Sequence, residues 1–260
     1  MGEIVQTSND NGIWCVRINR PEVRNVFSID LMRELTDAAR RLQEEPGVRA
    51  VILAANGPNF TAGADLKDPR RWDLDKAGLA ERRSLPRIGE RMCQAWEDVP
   101  AVTICAVEGY CIGGGTALAA SLDFRVIART AYFQLPEIAI GLPLSWGAVP
   151  RLVRLLGPAG ARRAVILCDK FTGPDAVAAG LADYLAEPGE AYAGALALAQ
   201  RVADLPDTAV KMSKEAINVT ANALNRLASY MAGDQLALAA HSEEAVEARK
   251  RFAAKKKPRA

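Results

Sequence analysis

The sequence predicts an α/β protein in which coiled ββα layers are followed by a helical region. A pattern of strand, strand and helix recurs at intervals of roughly 50 residues, without an exact internal repeat. The composition shifts near residue 188, because strands and turns precede it and an Ala-rich helical pattern follows it. We therefore expect a ββα core in residues 1–187. The helical region, residues 188–260, should bury its apolar face between subunits.

The first layer is predicted to contain strand, helix and strand. Residues 12–18 form an apolar run that stops at Arg20-Pro21, and residues 49–55 form a second apolar run. Between them, Ser28 is the predicted N-cap of a helix that ends at Pro46-Gly47. The apolar residues of this helix fall at helical spacing: Met32, Leu35, Ala39 and Leu42.

The middle of the chain contains a loop, a charged helical stretch and a glycine turn. The loop at 56–67 is polar and Gly-rich with an apolar middle, and residues 73–98 have helical propensity. Residues 101–107 have the length and β-branched content of a buried strand, and they lead into the glycine turn at 108–117. A short helix of small residues leads out of the turn, and a further strand is predicted at 124–128.

The last part of the predicted core ends in helices. Residues 132–137 form a short extended piece that ends in a carboxylate directly after a proline. Helical patterns occupy 146–156 and 158–168. Three residues delimit the next helix as N-cap, first-turn proline and C-terminal glycine: Thr172, Pro174 and Gly180.

Composition and charge exclude several classes of function. The 260 residues are 50% hydrophobic with a formal net charge of +2, which leaves no general field to attract nucleic acid or a membrane. The five cysteines include no C-x-x-C. The single histidine, His241, stands before a predicted helix start, so neither a transition-metal site nor a Ser-His-Asp triad is expected. Without a signal-peptide pattern or a long apolar run, the protein is expected to be cytoplasmic.

The glycine turn is the strongest local signal. Gly113, Gly114 and Gly115 lie between a buried strand and a helix, where backbone N–H groups can point at an anionic oxygen. A dinucleotide loop would need Gly in place of Leu118, and a P-loop would need a Lys directly before Thr116. Close helix packing explains one or two of these glycines more easily than three. The turn therefore favours an oxyanion that appears during a reaction over a bound phosphate.

Four segments of the chain carry a resemblance to a known family. They are residues 18–25 (INRPEVRN), 60–67 (FTAGADLK), 109–118 (GYCIGGGTAL) and 133–151. In this order and spacing they resemble the enoyl-CoA hydratase/isomerase (crotonase) superfamily, and the similarity covers nearly the whole chain. The resemblance implies a spiral of ββα units, a C-terminal helical part that forms trimers or hexamers, and an acyl-CoA thioester substrate.

The resemblance also implies roles for single residues. The backbone N–H groups of Ala64 and Gly114 would form an oxyanion hole for the thioester carbonyl, and Glu137 fills the position of a catalytic glutamate. Coenzyme A would enter as part of the substrate, so no separate cofactor is expected. The implied contacts with coenzyme A are Arg24 near its phosphates, Ala62, Asp65, Leu66 and Lys67 along its adenine and pantetheine, and Lys255 reaching the phosphates from the last helix.

One position departs from the two-carboxylate hydratases of this family. Those enzymes carry a glutamate three residues after the oxyanion glycine, where this chain has Ala117. Water addition is easiest with two acid/base groups, whereas a 1,3-proton shift needs only one carboxylate. With Glu137 alone, the sequence favours isomerase chemistry. Hydratase chemistry stays open if the fold turns Asp65 or Glu108 inward, although a role in a turn is the simpler interpretation of both.

Three further questions stay open at this stage. The loss of a carboxylate at Ala117 also fits a protein that binds acyl-CoA without catalysis. The basic run at 254–259 would suit a nucleic-acid contact, but no aromatic residues interleave it, which favours a solvated terminus. Trp146 stands where many family members have small residues, and it either narrows the acyl pocket or packs in the core.

Overall fold

The computed structural model describes residues 3–71, 78–240 and 242–255. Six strands of these ranges form one sheet and three form a second, smaller sheet. The strands are β1 (Val5–Asp10), β2 (Ile13–Ile18), β3 (Ala50–Ala55), β4 (Val102–Val107), β5 (Tyr110–Ile112), β6 (Phe124–Ala128), β7 (Tyr132–Gln134), β8 (Phe171–Thr172) and β9 (Tyr184–Ala186).

The larger sheet has the order β1-β2-β3-β4-β6-β9. β1 pairs antiparallel with β2, and the other pairs of this sheet are parallel. The smaller sheet has the order β5-β7-β8, with β5 and β7 parallel and β7 and β8 antiparallel. Parallel strands covered on both faces need apolar side chains in both directions, which explains why every residue of β4 is buried.

The helices of the described ranges lie on the faces of the sheets and in the C-terminal part. They are α1 (Ile29–Glu44), α2 (Leu79–Ser84), α3 (Ile88–Glu97), α4 (Gly114–Ala119), α5 (Ala148–Val165), α6 (Gly173–Ala179), α7 (Ala191–Ala203), α8 (Asp207–Ala221), α9 (Asn225–Ser229), α10 (Ala232–Ala240) and α11 (Glu243–Lys255). Short 3-10 helices occur at Pro21–Val23, Pro69–Arg71, Leu85–Arg87 and Ile138–Ile140. α1 packs against α3, and α7 packs against β3, β4 and β6.

The predicted ββα repeat is confirmed. β4 is followed by β5 and α4, and β6 is followed by β7 and α5, with the second strand of each layer in the smaller sheet. In the earlier layers single parallel bridges take the place of a second strand, between Phe27 and Ala64 and between Thr61 and Cys111. The chain therefore coils, and the segments that follow β2, β3, β4 and β6 lie side by side.

The N-terminus of α1 shows how local sequence and a distant residue combine. Ser28 is the N-cap as predicted, because its Oγ accepts a hydrogen bond from the N–H of Leu31 at 3.2 Å. The buried carboxylate of Asp68 accepts a second one from the N–H of Ile29 at 3.2 Å. Hydrogen bonds from Arg70 lower the pKa of Asp68 to about 2. The predicted apolar positions of α1 are all buried: Met32, Leu35, Ala39 and Leu42.

The structure corrects several predicted elements. Periodicity did not predict β1, since that strand is polar and five of its six residues are exposed. It also gave no sign of β8 and β9, which have two and three residues. The two helical patterns at 146–156 and 158–168 belong to α5, which begins at Ala148 and is interrupted at Gly157 (φ 66°, ψ 168°).

The C-terminal region is helical, as the composition shift predicts. From α7 onward every regular element of the described residues is a helix. His241 lies outside the described residues, and the Oγ of Ser242 accepts a hydrogen bond from the N–H of Ala245 at 3.2 Å, at the start of α11. In the described ranges, no helix is long and apolar enough to cross a membrane. The division at residues 187 and 188 stays a prediction.

Candidate active site

The turn between β5 and α4 holds the glycines in a fixed geometry. Gly113 has φ 57° and ψ −119°, a combination that side chains other than hydrogen disfavour. Its N–H donates to the carbonyl of Gln134 at 2.8 Å, which ties the turn to β7. The hydroxyl of Thr116 donates to the carbonyl of Cys111 at 2.8 Å. Gly114 is the first residue of α4, where a backbone N–H has no partner within the helix.

A second loop, residues 61–65, lies against this turn. The N–H of Phe27 donates to the carbonyl of Gly63 at 2.8 Å, and the N–H of Asp65 donates to the carbonyl of Phe27 at 3.0 Å. In this parallel bridge the intervening N–H, that of Ala64, points away from Phe27. A Cβ on Gly63 would lie 2.7 Å from the carbonyl oxygen of Ile112, so the loop and the turn touch through their backbones.

Two backbone donors are left unpaired where these segments meet. Within the part of the chain that the structure describes, neither the N–H of Ala64 nor that of Gly114 has a hydrogen-bond partner. Gly114 is buried and Ala64 is half-buried, and buried backbone donors are nearly always paired in folded proteins. Two unpaired donors on adjacent backbone segments are therefore suited to binding an oxygen atom of a ligand.

Glu137 lies at the same turn. A Cβ on Gly113 would lie 2.7 Å from the Oε1 of Glu137. The Oε2 of Glu137 is buried and has no hydrogen-bond partner among the described residues. Burial raises the pKa of this carboxyl from 4.5 to about 7, while a hydrogen bond from its own backbone N–H acts in the opposite direction. A carboxyl with these properties can both accept and return a proton near neutral pH.

The backbone around Glu137 is a single 3-10 turn. The carbonyl of Glu137 accepts hydrogen bonds from the N–H groups of Ile140 and Leu142, each at 3.0 Å. Gly141 ends the turn in a left-handed conformation with φ 76°. These hydrogen bonds fix the backbone of Glu137, whose side chain lies beside Gly113.

Ala117 lies three residues beyond Gly114 and is 1% exposed. Its N–H donates to the carbonyl of Gly113 at 3.1 Å, so it is part of the first turn of α4. Residues three apart share a helix face, and a helical side chain lies over the turn N-terminal to it. A longer side chain at this position would therefore extend toward the glycine turn, where this chain has only a methyl group.

Trp146 is buried in the core, where it also contacts the glycine turn. Its ring stacks on Phe27 with the ring centroids 6.1 Å apart and an interplanar angle of 21°. A Cβ on Gly114 or on Gly89 would overlap the indole. Of the two interpretations left open by the sequence, the structure shows packing in the core, and a role in narrowing the acyl pocket stays a prediction. This packing lies against the predicted oxyanion glycine.

Several of the residues predicted to contact coenzyme A lie where the segment of Arg24 meets the loop at 62–67. The carbonyl of Arg24 accepts a hydrogen bond from the N–H of Ala62 at 3.0 Å, and the side chain of Arg24 is exposed. Leu66 is half-buried and Lys67 is exposed. Lys255 is the last residue of α11, and its side chain lies outside what the structure describes. Arg24 and the loop at 62–67 are therefore brought together.

The two carboxylates considered as substitutes for a second acid/base group both bind backbone N–H groups. The Oδ1 of Asp65 accepts a hydrogen bond from the N–H of Lys67 at 3.0 Å, which is the turn role that the sequence favoured. The carboxylate of Glu108 accepts hydrogen bonds from the N–H groups of Gly189 at 3.3 Å and Ala191 at 2.9 Å. Glu108 therefore binds the distant segment at the start of α7, and the turn role predicted for it is wrong.

Sequence reasoning missed several residues that shape this site. Phe27 pairs with Ala64 and stacks on Trp146, and the hydroxyl of Thr61 accepts a hydrogen bond from the N–H of Gly63 at 3.0 Å. Gly89 of α3 touches the indole, but a lone glycine in a helical pattern gave no signal of this contact. These contacts join segments that are distant in sequence, and local periodicity does not report them.

Two other features lie apart from this turn. Within the described ranges, no group of three or more His, Cys, Asp or Glu side chains is arranged to hold a metal ion. A cavity of about 640 Å³ lies between α1 and the segment formed by α2 and α3. Charged and polar side chains dominate its lining, and none of the predicted site residues contributes to it.

Comparisons of the sequence and of the fold with known proteins find similarity to the same family. A family model described as Enoyl-CoA hydratase/isomerase matches residues 8–259. The chain is 31% identical to a crotonyl-CoA hydratase of Syntrophomonas wolfei over 202 residues, which cover 77% of this chain and 76% of that one. It is 30% identical to a short-chain-enoyl-CoA hydratase of Clostridium acetobutylicum over 204 residues, covering 78% and 76%. The crystal structure of an enoyl-CoA hydratase/isomerase from Pseudoalteromonas atlantica aligns with a TM-score of 0.86 at 27% identity, covering 99% of this chain and 100% of that one.

Proposed function

Because this chain belongs to the enoyl-CoA hydratase/isomerase family of enzymes, we propose that it acts on an acyl-CoA thioester with Glu137 as its lone acid/base. The favoured reaction is an enoyl-CoA isomerase-type proton shift. The single observation that carries this proposal is the pairing of a buried, unpartnered Glu137 carboxylate with a buried methyl group at Ala117.

The proposed reaction begins with loss of a proton next to the thioester carbonyl. In a 3-enoyl-CoA, ionised Glu137 takes a proton from C2, and the electron pair of the broken C–H bond delocalises onto the carbonyl oxygen. The N–H groups of Ala64 and Gly114 bind this oxygen more strongly as it gains charge, which lowers the barrier. In other enzymes the loss of one such donor costs about 2.7–4 kcal/mol.

The second step returns the same proton to a different carbon. Protonated Glu137 donates to C4, the double bond moves into conjugation with the thioester, and the carbonyl oxygen loses its charge. No proton is gained or lost overall. A raised pKa suits this cycle, because a carboxyl with a pKa of about 7 transfers a proton in both directions at neutral pH.

Hydration of a 2-enoyl-CoA is the alternative reaction. Its support comes from the two relatives described above, whose names are those of hydratases. Against it, a second acid/base group is missing at Ala117, Asp65 is engaged in a turn, and Glu108 binds the start of α7. A homologue that binds acyl-CoA without turnover is a third outcome, and the same assays detect it.

We propose that coenzyme A binds at the surface where Arg24 meets the loop at 62–67. The exposed cation Arg24 is suited to its phosphates, and Ala62, Asp65, Leu66 and Lys67 would line the pantetheine and adenine path. Lys255 is proposed to reach the phosphates from α11. No separate cofactor is proposed, because the thioester already carries coenzyme A.

A homotrimer or homohexamer is the proposed assembly. Support comes from large apolar side chains that the C-terminal region of the single chain leaves exposed. Burying them between subunits would remove their apolar surface from water. These side chains are Met212, Ile217, Val219, Leu224, Leu227, Tyr230, Met231 and Leu238.

A panel of 2-enoyl- and 3-enoyl-CoA esters tests the proposed reaction. Formation and loss of the conjugated enoyl thioester are followed by absorbance, and products are identified by chromatography. We expect conversion of 3-enoyl to 2-enoyl esters to exceed hydration of 2-enoyl esters. Hydration at least as fast as isomerisation would contradict the proposal and favour the hydratase. Tight binding measured by calorimetry without turnover of any ester would favour the binding homologue.

A further inference from the structure

Trp146 has a backbone conformation that its side chain disfavours. Its φ is 60°, in the left-handed region, and the next residue, Gly147, is also left-handed with φ 65°. A bulky residue in this region is strained and persists only where the surrounding structure holds it. Such strain is concentrated at functional sites.

A buried ion pair holds the backbone of Trp146. The Nη1 of Arg151 donates to the carbonyls of Trp146 at 3.2 Å and Gly147 at 3.1 Å. The Nε of Arg151 donates to the Oε2 of Glu97 at 2.7 Å, and both side chains are buried. Burial alone would lower the pKa of Arg151, but the hydrogen bond and charge of Glu97 outweigh this effect and raise the pKa.

The indole is enclosed by three elements. Phe27 stacks on one face, Gly89 of α3 touches its pyrrole side, and Gly114 of α4 touches its six-membered ring. Glu97 lies at the other end of α3 from Gly89, so α3 holds Trp146 directly at one end and through Arg151 at the other. The position of the indole beside Gly114 is therefore fixed by packing and by charge.

Two adjacent glycines of the turn contact the acid/base group and the indole. Glu137 abuts Gly113, and the indole abuts Gly114, the next residue. A side chain at position 117 would extend back toward these two glycines. A carboxylate at position 117, and a water held between it and Glu137, would therefore have to be placed beside the glycine that the indole contacts.

We propose that Trp146 determines reaction specificity by occupying the water position beside Gly114, so that Glu137 exchanges its proton with the substrate and not with water. In this role Trp146 contacts the glycine turn. Arg151 and Glu97 are positioning residues that act through Trp146. This inference rests on the proposed proton shift. It predicts that a smaller ring at this position admits water to Glu137.

Trp146→Phe is the test, with Trp96→Phe as the matched control. Phenylalanine keeps an aromatic ring against Phe27 and opens a space on the order of one water molecule. Trp96 is also buried, and its indole N–H donates to the carbonyl of Leu35 at 3.1 Å, away from the glycine turn. The control therefore accounts for the general effect of shortening a core tryptophan.

The deciding measurement is the ratio of hydration to isomerisation on the same pair of 2-enoyl- and 3-enoyl-CoA esters. We expect this ratio to rise at least tenfold in Trp146→Phe and to stay unchanged in Trp96→Phe. An unchanged ratio in a folded Trp146→Phe protein would overturn the inference. The ratio in the wild type tests the proposed function separately, because only its change on substitution tests the role of Trp146.

A second readout covers the case in which the wild type turns over neither ester. The pKa of Glu137 is then measured by carbon NMR of labelled glutamate, with Glu137→Gln to assign the signal. Water beside the carboxylate should lower this pKa in Trp146→Phe, and an unaltered pKa would overturn the inference. If Trp146→Phe does not fold, Trp146→Gly replaces it, since glycine suits the left-handed backbone.

Discussion

Glu137→Gln should make the protein more stable at alkaline pH while it removes activity. The carboxyl of Glu137 is buried, and its Oε2 has no hydrogen-bond partner among the described residues. Its pKa is about 7 in the folded chain, compared with 4.5 ordinarily. A carboxyl whose pKa is raised by folding destabilises the fold once it is ionised.

The sign and size of this effect follow from the two pKa values. Below pH 4.5 both the folded and unfolded chains are protonated at Glu137, and the group contributes nothing. Between 4.5 and about 7 the unfolded chain releases the proton and the folded chain keeps it, so stability falls as pH rises. Above this window the full penalty is present. At about 1.4 kcal/mol per pKa unit it amounts to roughly 3 kcal/mol, and about 2.5 kcal/mol of it develops between pH 5 and pH 8.

Equilibrium urea unfolding at a fixed protein concentration measures the effect. The free energy of unfolding of Glu137→Gln minus that of the wild type should increase by about 2.5 kcal/mol from pH 5 to pH 8. Glu44→Gln, which changes an exposed carboxylate at the end of α1, is the control and should show no such increase. Activity of Glu137→Gln should fall by about 10²–10⁴-fold. A stability difference that does not depend on pH would refute the assignment of Glu137 as a desolvated carboxyl.

Three further predictions concern the turn, the missing carboxylate and assembly. Gly114→Pro should have a kcat about 10²–10³-fold below that of Gly114→Ala. Both variants add a Cβ against Trp146, but only proline removes the N–H donor. Equal kcat values would exclude that donor from catalysis. Ala117→Glu should increase hydration of 2-enoyl-CoA only in combination with Trp146→Gly, and an equal increase in the single variant would show that the indole does not limit the site. Light scattering at micromolar concentration should give a trimer or hexamer, and a monomer would contradict the assembly proposed for residues 188–260.

Periodicity and turn chemistry predicted the parts of the fold that local sequence determines. The buried face of α1, its Ser28 cap and the uniformly buried β4 follow from spacing and from burial on both sides of a parallel sheet. The family match over residues 8–259 confirms the resemblance that four segments carried. Each of these features depends on neighbours within a few residues, or on several motifs in a fixed order.

Contacts between distant segments could not be predicted in the same way. Arg151 and Glu97 are 54 residues apart, and no local pattern links them. The left-handed conformation of Trp146 is equally invisible, because nothing in a Trp-Gly pair specifies φ for the tryptophan. The sequence left open whether this residue narrows the acyl pocket or packs in the core, and the structure shows a core position that borders the glycine turn.

The three consecutive glycines of the turn can be explained without reference to its chemistry. From the sequence alone, close helix packing explained one or two of these glycines more easily than three. The structure supplies a separate steric reason for each. Gly113 has a backbone conformation that glycine favours and lies against Glu137, a Cβ on Gly114 would overlap Trp146, and a Cβ on Gly115 would overlap Thr61. Contacts and backbone conformation therefore give each of the three glycines a reason that does not require anion binding, and the oxyanion role of the turn stays a prediction.

The number of glycines consequently says little about the chemistry of the turn. The features that favour catalysis are the unpaired N–H groups of Ala64 and Gly114 and the buried carboxylate of Glu137 beside them. Packing and chemistry are nevertheless coupled, because the side chains that require glycine at positions 113 and 114 are those of Glu137 and Trp146. A substitution at either glycine therefore moves a group assigned to the reaction, and its effect on activity has to be compared with a variant that adds the same Cβ and keeps the N–H donor.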